Sequence, residues 1–195
     1  MLQATNTTFG SSNASAGALK GRARGALICG FFGAVFMFEA LYFGRMATPG
    51  WLAIITIFAG VLIVWPVMQL YSLRHLRYTD DDRRRWAAIA VAYWIDFAAE
   101  WLLCTGAAVW LGHIHRYDLM PQFLGVIIGL HFLPLGWMFK APIYYATGAA
   151  MVLGVLATLA IPHVHLRSLA ACGVNGLSLW LTAVHNLSRY RPSPR

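Results

Sequence analysis

The chain reads as an all-α integral membrane protein, a bundle of six transmembrane helices. Three observations predict this. Apolar runs of about 18–26 residues recur six times, each long enough at about 1.5 Å rise per residue to cross a roughly 30 Å hydrocarbon core. The composition is 59% hydrophobic and only 11% charged, against about 25% charged in a soluble domain. Threading six spans also puts every one of the 15 Lys and Arg residues on one side, apart from Arg45, Arg116 and Arg167. By the positive-inside rule both termini then face the cytoplasm. The net charge of +8 does not indicate nucleic-acid binding, because the basic residues cluster at the ends of apolar runs.

Residues 1–19 are rich in Ser, Thr, Asn, Ala and Gly, lack periodicity, and read as a disordered tail. Lys20, Arg22 and Arg24 precede the first apolar run, Ala26–Gly44. That run is too long for a typical cleaved signal region and is followed by Arg45, so an uncleaved first span is expected. Further spans fall near Trp51–Leu73, Trp86–Leu111, Pro121–Phe139, Pro142–Ile161 and Ser168–Leu187. Residues 20–188 thus form one six-helix domain, with a short cytoplasmic tail over 189–195. Arg74–Arg85, with Asp80, Asp81 and Asp82, reads as a mixed-charge loop anchoring topology. Trp51, Trp86, Trp110, Tyr42, Tyr71 and Tyr117 lie near span ends, where amphipathic rings favour the interface. Trp94 and Trp101 are deeper and are expected to pack between helices. Cys29, Cys104 and Cys172 fall inside spans, far apart in sequence, and read as small core residues.

Spans 1–3 and 4–6 carry a weak internal match. Phe38 and Leu41 correspond to Phe132 and Leu135, and Gly60-Val61-Leu62 to Gly154-Val155-Leu156, at an offset of 94. Pro49 and Pro66 correspond to Pro142 and Pro162 within a residue or two of that offset. A three-span unit inserts upside down on duplication, so the pattern is that of a 3+3 inverted repeat, a common transporter plan.

Four ionisable side chains sit inside these runs: Glu39, Asp96, Glu100 and His131. A charge near the bilayer centre costs roughly 2.5–3.5 kcal/mol on insertion scales. Asp96 and Glu100 are one turn apart on one face of span 3. His131 lies near the middle of span 4, and Asn175 at similar depth in span 6. Glu39 lies closer to the extracytoplasmic end of span 1. Two carboxylates at that spacing in a low dielectric cannot both ionise freely without a shared proton or an intervening cation. Arg45, Arg116 and Arg167 reach inward only by snorkelling from the outer surface. The group reads either as a proton- or ion-relay site or as hydrogen-bonded helix glue.

Two H-x-H pairs, His113/His115 and His163/His165, fall in loops on the extracytoplasmic side. Four imidazoles there suit zinc, copper or nickel, and in an extended segment both histidines of a pair point the same way. The alternative is interfacial polar aromatics, the reading also given to His75 and His185. No soluble-enzyme motif, and hence no catalytic residue or obligatory cofactor, is identified. Gly125 and Gly129 form a small-xxx-small pair suited to close helix contact within the chain or to a dimer. Six short spans enclose little core for their lipid-facing perimeter, which is compatible with a homodimer.

The segment Gly129-Leu130-His131-Phe132-Leu133-Pro134-Leu135, followed by Pro142-Ile143-Tyr144-Tyr145-Ala146-Thr147-Gly148, resembles one in small, uncharacterised bacterial multi-span membrane proteins. The resemblance covers about 20 residues. It implies a bacterial inner-membrane protein with His131 in a signature segment, and brings no activity with it. Three functions follow from the residues. One is a proton- or cation-coupled transporter of an unknown small substrate or ion, with Pro134 breaking helix 4 to expose carbonyls. Another is a metal-binding protein or enzyme using the outer histidines. The third is a non-catalytic assembly or accessory protein.

Overall fold

A computed structural model describes residues 15–189, which contain six α-helices and no strand. In order these are α1 (Ala16–Phe43), α2 (Pro49–Ser72), α3 (Asp80–His113), α4 (Met120–Phe139), α5 (Pro142–Thr158) and α6 (Val164–Ser188). A 3-10 turn over Tyr117–Leu119 leads into α4. Four segments are long and apolar enough to cross a membrane: α1, α2, α3, and α4 with its leading turn. α5 is apolar but has 17 residues. α6 has 25, and its buried face carries Ser168, Asn175, Thr182 and Asn186 among apolar residues.

Local chemistry sets the boundaries. Pro49, Pro121 and Pro142 sit in the first turns of α2, α4 and α5, where a missing N–H is harmless and the fixed φ suits a helix. α3 opens on a capping box. The Asp82 N–H donates to Thr79 Oγ1 at 3.1 Å and the Thr79 N–H to Asp82 Oδ2 at 3.4 Å. Asp80–Asp82 also lie at the positive end of the helix dipole. These two effects make Asp80–Arg85 the opening turns of α3 rather than the expected loop. Ser15 caps α1, accepting from the Ala18 N–H, so Ala16–Leu19 are helical rather than part of a disordered tail. The rest of that expected tail, residues 1–14, and residues 190–195 of the C-terminal tail lie outside the described residues. α4 continues through Pro134 and is not broken there. The proline ring removes only the N–H that would pair the Leu130 carbonyl.

α6 is the central helix, packed on α1, α4 and α5 and touching α2. Around the bundle the order is α2, α1, α6, α5, α4, α3, and α2 does not touch α3. Two crossings bring backbones together over glycine. A Cβ on Gly176 would lie 3.1 Å from the Gly33 carbonyl, joining α6 to α1, and one on Gly148 would lie 2.4 Å from the Gly129 carbonyl, joining α5 to α4. The Gly125/Gly129 pair therefore serves packing within the chain. Gly125 faces Val155 and Asn175, and Gly129 faces Gly148 and Val152.

The helix ends group as an up-and-down bundle requires. At one end Ser15 Oγ donates to Asp82, Lys20 Nζ to the Leu76 carbonyl, and Arg22 to the Arg189 carbonyl. This end carries all the described Lys and Arg except Arg45, Arg116 and Arg167, and is called the basic end below. At the opposite end Gly44 meets Leu169, and Asp118 meets Arg167.

Large apolar side chains cover the outside of α2 and α3. Trp94 and Trp101 are 63% and 61% exposed and lie on that rim, not between helices as expected. Residues of α3 that face the bundle fall at Tyr93, Asp96, Phe97, Glu100 and Cys104. Trp94 and Trp101 are each offset by one residue from that stripe, about 100° around the axis. The halves of the expected inverted repeat are packed differently. Pro49 and Pro142 open α2 and α5 alike, but α5 packs on α6 while α2 leaves α3 untouched. Gly60 faces open space, Gly154 meets Val174, and Pro66 is within a helix while Pro162 is in a loop.

Candidate functional site

Asp96 lies at the midpoint of α3, Glu100 one turn on, and His131 near the midpoint of α4. The α3–α4 contact brings all three together. His131 Nδ1 is 2.9 Å from Asp96 Oδ2 and 3.5 Å from Glu100 Oε2. The side chains are only 11–18% exposed. The 2.9 Å approach lacks the alignment of a hydrogen bond, leaving Asp96 Oδ2 and His131 Nδ1 as buried atoms without an aligned partner. Among the described residues, no other basic side chain comes within 4.0 Å of either carboxylate. The arrangement is one imidazole straddled by two carboxyl groups. It can share and pass protons among the two carboxyl groups and the imidazole.

The other two members expected at mid-depth do not join it. Asn175 is fully buried, donating to the Pro121 carbonyl at 3.4 Å and facing Gly125. These contacts lie near the start of α4, because α4 and α6 are staggered. Gly129 faces α5, and His131, two residues later, points about 200° around the axis toward α3. Glu39 lies one turn from the end of α1, half-buried, where the Cys172 thiol approaches it at 3.8 Å. Cys29, Cys104 and Cys172 are free thiols.

The outer histidines do not assemble. His113, His115, His163 and His165 are all exposed. Neither pair is extended, since His113 ends α3, His115 has φ 55°, His163 caps α6 and His165 is helical. The geometry that would aim both imidazoles one way is therefore missing. Among the described residues no three His, Cys, Asp or Glu side chains are grouped to hold a metal ion.

Instead, the opposite end holds an ionic group centred on Asp118. Arg116 Nε lies 3.0 Å from Asp118 Oδ1, and Arg167 Nη2 lies 2.5 Å from Oδ2. Beside it Gln122 donates weakly to Thr158 Oγ1 at 3.4 Å and to the Arg167 carbonyl at 3.5 Å. Arg116 and Asp118 are two residues apart in the chain, whereas Arg167 is 49 residues from Asp118 and reaches it only through the fold. Asp118→Asn removes the acid that both guanidinium groups meet and is expected to lower stability at pH 7 by up to about 1 kcal/mol, as for solvent-reachable pairs. Thermal melts of detergent-solubilised protein should show the difference from wild type.

The bundle is thus of the α-helical membrane class, with an ionisable cluster between two of its helices. Residues 92–186 match DUF7010, a family of unknown function. The matched segment runs from α3 to α6 and contains Asp96, Glu100 and His131, whereas Glu39 lies outside it. No curated protein and no solved structure matches the chain.

Proposed function

We propose that the protein is a six-span bacterial inner-membrane protein with cytoplasmic termini that moves protons or a small cation through Asp96, Glu100 and His131. The observation that carries this reading is the placement of His131 Nδ1 2.9 Å from Asp96 and 3.5 Å from Glu100 at the midpoints of two apolar helices. Buried ionisable groups at that depth are costly and accompany ion pathways and proton relays. The six-span count draws support from α5, whose 17 residues extend about 25 Å, and from the exclusion of most Lys and Arg from one end.

The test is proton flux into liposomes under an imposed potassium diffusion potential, read with a trapped pH dye. Wild type should acidify the lumen faster than empty vesicles, and Asp96→Asn and Glu100→Gln should return the rate to the protein-free leak. Equal rates in wild type and variants remove the relay.

A second reading, helix glue in an accessory protein, is favoured by one observation. Leu111 is the only residue of α3 that is fully buried, so the carboxylate–imidazole contacts join the Trp86–Phe139 and Trp110–Phe123 ring contacts in holding α3 to α4. In that case wild-type liposomes stay at the protein-free leak.

A further inference from the structure

At the basic end α1 and α3 meet through Ser15 with Asp82, and through Gly17 and Gly21 with the Trp86 ring. Beside this contact opens a hollow of about 390 Å³, lined by Arg24 of α1, Tyr78 of the α2–α3 link, and Arg83, Trp86 and Ala90 of α3. Among the described residues neither guanidinium has a carboxylate within 4.0 Å. Asp82, next to Arg83, is already engaged by Ser15 and Thr79. Lys20 is committed to the Leu76 carbonyl and stands over the Tyr78 ring at 4.6 Å. The hollow therefore offers two forked donors that make no direct ion pair, between two amphipathic rings.

We propose that this hollow binds the phosphate headgroup of an anionic phospholipid. Arginine matches phosphate with paired, parallel N–H donors, and two of them without a neutralising acid favour an anionic over a zwitterionic headgroup. The surroundings select a lipid over a free phosphate ion. One turn beyond Arg24 on α1 lies Ile28, and one turn beyond Ala90 on α3 lies Trp94. Both are exposed, 46% and 63%, and provide apolar surface along which acyl chains run. The inference rests on the membrane placement of the bundle and is independent of any proton relay.

Native mass spectrometry of the full chain released from detergent, titrated with phosphatidylglycerol, phosphatidylcholine or inorganic phosphate alone, tests it. Wild type should retain one phosphatidylglycerol about tenfold or more in preference to phosphatidylcholine. Arg24→Gln with Arg83→Gln should abolish that preference, while Arg84→Gln with Arg85→Gln, outside the hollow, should keep it. Arg24→Lys with Arg83→Lys, which preserves charge and topology signals, should weaken it by losing the forked geometry. Equal retention of the two lipids, or a preference unchanged in the Gln pair, overturns the site. Inorganic phosphate bound as tightly as phosphatidylglycerol overturns the lipid assignment.

Discussion

Replacing His131 with alanine is expected to destabilise the protein by about 3 kcal/mol, the cost of stranding a largely buried carboxylate without its partner. Both Asp96 and Glu100 approach the same ring nitrogen, at 2.9 and 3.5 Å, and no other basic side chain among the described residues reaches them. Removing the imidazole leaves two acids one turn apart in a low dielectric with no counter-charge, so at least one must take up a proton. The expected signature is non-additivity. Asp96→Asn combined with Glu100→Gln should restore most of the stability lost in His131→Ala, because a neutral amide pair needs no counter-charge. Unfolding of purified protein in mixed micelles with increasing SDS measures each variant. A His131→Ala loss that the double neutral substitution leaves unrescued would mean that the ring matters for shape alone. Run alongside the liposome assay, this separates function from attachment. A relay loses flux in the rescued triple variant, whereas helix glue recovers everything it had.

Gly148→Val is expected to be the most damaging single change away from that cluster, costing about 3 kcal/mol or more. A Cβ there would lie 2.4 Å from the Gly129 carbonyl oxygen and 3.2 Å from the Phe132 Cβ. The first obstacle is backbone, which no rotamer change relieves, so α4 and α5 must separate. Overpacking of a well-filled contact costs about 1–3 kcal/mol even where side chains can adjust. Gly148→Ala should show the smaller share of the same effect, and Gly173→Ala makes the control. Nothing lies within 4 Å of a Cβ at Gly173, so there the helix propensity of alanine should stabilise by up to about 1 kcal/mol. The same SDS titration reads all three, with far-ultraviolet circular dichroism confirming that helix content is kept. Because His131 is two residues beyond Gly129, separating α4 from α5 also shifts the imidazole relative to α3, so Gly148→Val should impair any flux that the cluster supports.

Much of this architecture is legible in one dimension. Hydropathy locates α2, α4, α5 and α6 within a few residues, since crossing an apolar slab demands a run of minimum length. The placement of Lys and Arg assigns each loop to one end of the bundle, and the contacts Lys20–Leu76, Arg22–Arg189 and Asp118–Arg167 join loops that the threading puts together. Hydropathy does not mark caps. Ser15 and the Thr79–Asp82 box extend α1 and α3 by several residues into segments too polar to look like spans.

The candidate site divides along the same line. That Asp96, Glu100 and His131 lie at the midpoints of their helices is a property of position along the chain, and the sequence alone determines it. Asn175 and Glu39 satisfy the same depth argument approximately, yet one packs on Gly125 and the other on Cys172. Trp94 and Trp101 are at depth but turn outward, and the four histidines share one end without sharing a centre. Depth is only one of the coordinates needed for two side chains to meet. The others are azimuth around each helix and stagger between neighbours. Both are set by which glycines let backbones close, Gly33 on Gly176 and Gly129 on Gly148. Only the packed structure decides those, and with them that one imidazole and two carboxyls, out of all the polar groups at mid-depth, come together.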